Sequence, residues 1–114
     1  MSAMSDYLEN KIIDWLLRGQ TFTPPATVYV GLLTAAPSDA GGGTEVSGGS
    51  YARVAVASSL ANWAGSQSAG STTASTGTSG TTSNNAAVTF PAPTANWGTV
   101  THFGVYDASS AGYQ

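Results

Sequence analysis

Few residues of this chain have the chemistry of a catalytic or metal site. His102 is the only histidine, and Asp107 is the nearest carboxylate to it in the chain. A catalytic histidine needs a nucleophile on one side and an orienting carboxylate on the other. Five residues along a regular strand put Asp107 on the opposite face from His102. Serines are abundant, but none sits in a G-x-S-x-G elbow. His102 therefore reads as a packing or interface residue. Asp39 and Glu45 flank a GGGT stretch and offer a possible calcium pair. Their spacing is not that of the twelve-residue calcium loop, and the oxygen ligands are too few. A solvated loop is the ordinary reading. The glycine-rich GGGTEVSGG lacks the lysine of a phosphate loop, and no helix pattern follows it. Trp63, Trp97, Tyr51 and Tyr106 have the flat rings of a sugar-stacking platform, with core packing as the plain alternative.

The distribution of charge says more than any motif. No Asp, Glu, Lys or Arg lies between Arg53 and Asp107, and His102 is the only group there that titrates near neutrality. Acid-base and nucleophilic chemistry need titratable groups brought together. Nearly half the chain thus reads as a structural or binding surface, and the expectation is a protein that is not an enzyme and takes no cofactor and no metal. The net charge is -3, and Lys11, Arg18 and Arg53 are too few to neutralise a phosphate backbone, so nucleic acid is not an expected partner. Charged residues make up 8% of the chain against a usual quarter. The absence of cysteine excludes disulfides and thiolate metal sites. No apolar run approaches the length of a membrane span. MSAMSDYLENK lacks a basic start and an apolar stretch, so synthesis in the cytoplasm without a secretory leader is expected.

The elements that would carry these residues follow from periodicity. A length of 114 residues predicts one domain, 1–114. Residues 5–18 predict a helix: Ser5 caps it, Gly19 ends it, and Leu8, Ile12, Trp15 and Leu16 recur on one face. That face is expected to serve the core or a neighbouring subunit. Pro24-Pro25 forces an extended entry into strand 27–33. Residues 37–49 read as loop, 50–58 as a half-buried strand, and 86–90 as a short strand closed by prolines. Residues 97–108 are the longest strand candidate, with Trp97, Thr99, Thr101, Phe103 and Val105 on one face and Gly98 and Gly104 marking a bulge or close approach. Between them, residues 64–85 form a Ser/Thr/Gly tract without a periodic apolar position, expected to be a flexible or exposed loop. One helix followed by β in 27–60 and 86–108 gives a mainly β class: an antiparallel β-sandwich or small barrel with an N-terminal amphipathic helix.

Four stretches carry a resemblance: S-D-Y-L-E-N, T-P-P-A-T-V-Y-V-G-L-L-T-A-A-P, G-T-E-V-S-G-G-S-Y-A-R-V, and N-N-A-A-V-T-F-P-x-x-T-A-N-W-G-T-V-T-H-F-G-V-Y-D-A. Their order and spacing resemble small bacteriophage virion proteins labelled tail-fibre or tail-associated. The resemblance runs from Ser5 to about Gly112. It implies a non-enzymatic structural subunit of a phage particle, on the tail in preference to the head surface, acting by repeated assembly. A head-decoration protein of the same fold and a carbohydrate-binding module using Trp63 and Trp97 are the alternatives, the latter with a host-surface glycan as partner. Similar proteins continue past the Asp-Ala-x-x-x-Gly segment with further β structure, so the last strand is expected to leave an open edge that recruits another copy, in a trimer. The expected interface residues are Tyr7, Leu8, Ile12, Trp15, Leu16, Trp97, Phe103 and Tyr106.

Overall fold

A computed structural model describes residues 4–112. The helix α1 spans Asp6–Leu17. The Leu8 N–H donates to the Ser5 hydroxyl at 3.4 Å, which satisfies one of the amides a helix start leaves unpaired. Asp6 and Glu9 lie in the first turn, where the helix dipole favours them. At the other end the Arg18 and Gln20 amides both close on the Asp14 carbonyl, and Gly19 takes the left-handed φ of 68° that this stop requires.

Four strands follow: β1 (Thr27–Ala35), β2 (Thr44–Glu45), β3 (Val54–Ala57) and β4 (His102–Tyr106). They form one antiparallel sheet with β1 at its centre. Tyr29 pairs with both Ala55 and Tyr106, and Leu33 with both Glu45 and His102. β4 therefore lies along one edge of β1, while β3 and then β2 share the other. The mainly β class with one leading helix holds. Among the described residues the strands make a single sheet, and the second layer of a sandwich is not among them.

The register sorts the side chains, because directly opposed residues of an antiparallel pair share a face. Tyr29, Gly31, Leu33, Ala55, Gly104, Tyr106 and Glu45 lie on one face. Leu33 is fully buried there, and Tyr106 and Gly104 are buried beside it. The other face is Val28, Val30, Leu32, Val54, Val56, Phe103 and Val105. Val30, hemmed between Val54 and Val105, is buried; Phe103 is 70% exposed.

Several boundaries differ from the expectations, each for a local reason. The β4 run begins at His102 and not at Trp97, because Gly98 adopts φ 79° and its N–H turns back to the Asn96 side chain. β3 begins at Val54, since Ser50 is left-handed and the Tyr51 N–H closes a turn on Gly48. Residues 86–90 join no strand: Pro91 and Pro93 follow directly on them, and the Phe90 ring stacks on Tyr51 instead. The loop 37–49 contains the short β2, which two residues of ordinary strand propensity could not announce. The helix was expected to pack on the core or a neighbour. No Cα of the helix comes within 8 Å of a strand Cα, its first turn borders a groove with Glu45 and Tyr106, and none of its residues is buried. The radius of gyration, 15.4 Å, exceeds the roughly 13 Å of a compact chain this long.

The Ser/Thr/Gly tract is exposed over most of its length, with Ala64 and Gly65 buried at its start, and it has a defined course. Gln67 is its hub: its amide donates to Ser71, Thr73 and Ala74, and its oxygen accepts from the Thr76 N–H. The Thr82 hydroxyl donates to the Ala64 carbonyl at 2.6 Å, and the Ala64 N–H to Ser83 at 2.8 Å. These bonds stay within the tract and its own stem. Replacing residues 66–81 by a short Gly/Ser turn should leave amide-exchange protection of β1, β3 and β4 unchanged and stability within about 1 kcal/mol, because closure entropy varies slowly with loop length. Loss of protection in β1 would show the tract to be part of the core.

Candidate assembly site

The polar centre of the molecule is Arg53. Its Nε and Nη2 donate to the two oxygens of Glu45 at 2.8 and 2.7 Å. This bidentate fork is the strongest geometry an ion pair adopts. Its Nη1 donates to the carbonyls of Ala108 and Ala111, both at 2.8 Å. The guanidinium lies flat over the Tyr106 ring, 3.5 Å from its centre. Only 6% of the Arg53 side chain meets solvent. The Tyr51 hydroxyl adds a third donor to Glu45 at 2.7 Å and accepts the Leu32 N–H at 2.9 Å. Gly31 makes room for this: a Cβ there would come 2.9 Å from the Glu45 carboxylate and the Tyr106 ring.

Tyr51 is held in turn by aromatic neighbours. Phe90 stacks on it at 6.2 Å, and Trp97 meets it edge-on at 5.5 Å. The Trp97 indole donates to the Gly49 carbonyl at 2.9 Å, and the Thr94 N–H shares that acceptor.

The electrostatics are those of a clamp. The Arg53 hydrogen bonds hold the Glu45 carboxyl below its ordinary value, against a smaller upward push from burial. Burial first, then the bond to Glu45, pushes the Tyr51 phenol up to about 12. The Glu45 bond raises Arg53 further above its already high value. Each group is fixed in one charge state across the neutral range and engaged by its neighbours. None is poised to take up or release a proton, as acid-base catalysis requires. Glu45, read from sequence beside Asp39 as a solvated loop residue or a calcium ligand, spends its carboxylate on Arg53 and Tyr51. Asp39 instead offers its backbone carbonyl to the Asp6 N–H at 2.8 Å. His102 is exposed at the sheet end, with its ring nitrogen 2.8 Å from the Thr101 hydroxyl.

The structure divides the expected interface residues. Trp97 and Tyr106 are internal: one is pinned to Gly49, the other lies beneath Arg53. Their aromatic bulk signalled contact, but the contact is with their own chain. Tyr7 is half-buried beside a groove of about 600 Å³ bounded by Ser5, Asp39, Glu45 and Tyr106, with the Lys11 ammonium 5.6 Å from its ring. Leu8 and Ile12 are half-buried. Trp15 is 56% exposed, Leu16 66% and Phe103 70%. Ile13, Leu17 and Val105 join them, and of these only Val105 had been placed on a shared face with Phe103 by strand alternation. Trp63 lines a separate trough near Leu60, Ser75 and Thr82, apart from the Trp97 cluster.

The clamp predicts two limbs in the pH dependence of stability. Glu45 has a folded pKa below its unfolded value, so its contribution is complete above about 4.5 and is lost as pH falls through the folded value. Tyr51 is raised from 10.0 to about 12, so its contribution is complete below 10 and is lost as pH climbs to 12. Denaturation midpoints across pH should lose the acid limb in Glu45→Gln and the alkaline limb in Tyr51→Phe. Arg53→Ala should cost about 3 kcal/mol in urea unfolding, because it strands a partly buried carboxylate. Arg53→Lys should recover only part, since an ammonium cannot reproduce the fork. An unchanged midpoint in Arg53→Ala would show the clamp to be idle.

The described residues thus hold a rigid structural clamp, a small core with Leu33 and Tyr106 on one sheet face and Val30 on the other, and exposed apolar side chains on the helix and at Phe103 and Val105. Among them no helix is long and apolar enough to cross a membrane. No curated protein matches the chain. A family model described as podophage GP4 fiber I protein gp80 matches residues 3–113. The chain belongs to that phage fibre family, and its role is that of a structural protein of the virion.

Proposed function

We propose that this chain is a non-enzymatic subunit that assembles with copies of itself into a tail fibre or its attachment to the particle. The observation that carries this reading is the exposed apolar surface. Scattered exposed hydrophobics are ordinary, but contiguous patches mark interaction sites. Ile13, Trp15, Leu16 and Leu17 follow one another on a single helix, and Phe103 and Val105 share one sheet face. The chain from Arg53 to Asp107 adds no charge that would have to be desolvated when such surfaces close. Among the described strands β4 pairs with β1 alone, and a strand edge is where a further strand or a partner's backbone can add. A closed trimer is the symmetry this reading favours, because heterologous contacts that close into a ring avoid open-ended growth.

Two measurements test it. Light scattering over a dilution series should show a discrete oligomer, with a trimer mass, that dissociates only at low concentration. Antibody labelling of purified particles should place the chain on the tail. A monomer at every concentration overturns the assembly reading, and label on the head surface replaces the tail reading with head decoration.

A further inference from the structure

The second face of the sheet is the feature that the core leaves unexplained. Val28, Val30, Leu32, Val54, Val56, Phe103 and Val105 lie on it, with no polar side chain among these paired positions. Antiparallel sheets that face water on one side alternate apolar-in with polar-out. The opposite face holds Leu33 and Tyr106 beside the Arg53 clamp; on this one Val30 is buried, Val28, Leu32, Val54 and Val56 are half-buried, and Phe103 and Val105 remain 70% and 40% exposed.

The chain also carries a second unpartnered apolar element. No Cα of the helix α1 comes within 8 Å of a strand Cα, and Ile13, Trp15 and Leu16 in its second half are 48%, 56% and 66% exposed. These three positions, with Ile12 between them, form one continuous arc of the helix. We infer that α1 of one copy seats on the Val28–Val54–Phe103 face of the next copy, which rests on the reading of the chain as a self-assembling subunit.

Three observations select this occupant. The first is position. Ser5, Asp6 and Tyr7 border a groove with Glu45, Arg53 and Tyr106, which belong to the core face. The Asp6 N–H is bonded to the Asp39 carbonyl. The helix is thus moored on the side of the sheet opposite to the apolar face and does not cover its own. The second is shape. β3, β1 and β4 lie side by side at Tyr29 and Val30, where they span about 10 Å, close to the diameter of an α-helix with its side chains. Twelve residues of helix run about 18 Å, within the length of the nine-residue β1. The third is area. The exposed parts of Ile13, Trp15 and Leu16 amount to roughly 350 Å², and those of the sheet face to a similar figure, taking ordinary side-chain areas. Their sum, about 700 Å², matches the apolar share of the smaller stable interfaces. A contact at that lower end gains from ring closure, in which each copy both gives a helix and receives one.

The chain has no cysteine, so single cysteines report contacts without background. Leu16→Cys and Phe103→Cys chains, distinguishable by a tag, are co-expressed, purified and treated with a short bismaleimide. The expected result is a covalent dimer that joins one tagged and one untagged chain, with no comparable product when either variant is made alone. Val105→Cys in place of Phe103→Cys gives a second sheet position and should behave alike. Covalent dimer from Phe103→Cys alone would overturn the proposal in favour of two sheets packed face to face. A double Leu16→Cys, Phe103→Cys chain that closes within itself as a monomer would overturn it in favour of the chain's own helix. An oligomer by light scattering with no product from any pair would overturn this contact while leaving self-assembly intact. A monomer throughout would overturn both.

Discussion

Arg53 holds together parts of the chain that have little else in common. One guanidinium reaches Glu45 in β2, the Tyr106 ring in β4, and the carbonyls of Ala108 and Ala111 beyond it. The strands it joins are short, two residues in β2 and five in β4. Ladders of that length are marginal alone. The clamp also accounts for local strain. Ala111 sits at φ 51°, a conformation that costs a non-glycine residue about 1 kcal/mol or more, and its carbonyl is one of the two that Arg53 binds. In a chain with only three basic residues, the buried one is spent on internal cohesion.

That choice has a consequence for the core. Gly31 and Gly104 face each other across β1 and β4, where most sheets would place two large side chains. Their absence lets the Glu45–Arg53–Tyr51 group lie against the strand. The core face is therefore filled by a hydrogen-bonded polar cluster flanked by Leu33, Tyr106, Tyr51, Phe90 and Trp97. Apart from Leu33, the large aliphatic side chains of β1, β3 and β4 go to the other face. A domain built this way has its rigidity on one side and its stickiness on the other, which suits a subunit that gains stability by association.

The sequence disclosed the parts governed by local rules. The helix bounds follow from Ser5 and Gly19, and the central strand from the β-branched run TVYVGLL. The mainly β antiparallel class and the exposed Ser/Thr/Gly tract were equally legible. What stayed hidden was long-range. Glu45 and Arg53 are eight residues apart, and nothing local marks them as partners; only the fold of β2 against β1 brings the carboxylate over Gly31. Residues 86–90 have strand propensity but no ladder to join, since their prolines and the Phe90–Tyr51 contact prevail. Trp97 and Tyr106 looked like surface anchors because large aromatics serve contacts and cores alike.

β4 shows why alternation could not reveal which face is the inside. Phe103 and Val105 are its apolar positions, and periodicity alone assigns them to a core. Register places them with Val28, Val30 and Leu32, opposite the face that Leu33 and Tyr106 share. The pattern correctly reported that Phe103 and Val105 belong together. It could not report whether the surface they meet comes from the same chain. Both faces of this sheet are apolar and both contribute to the chain's own core, Leu33 and Tyr106 on one and Val30 on the other, while Phe103 and Val105 beside Val30 stay exposed. Hydrophobic periodicity cannot separate the buried Val30 from its exposed neighbours. The register of Gly31 against Gly104, with the clamp on its side, is what tells the two faces apart.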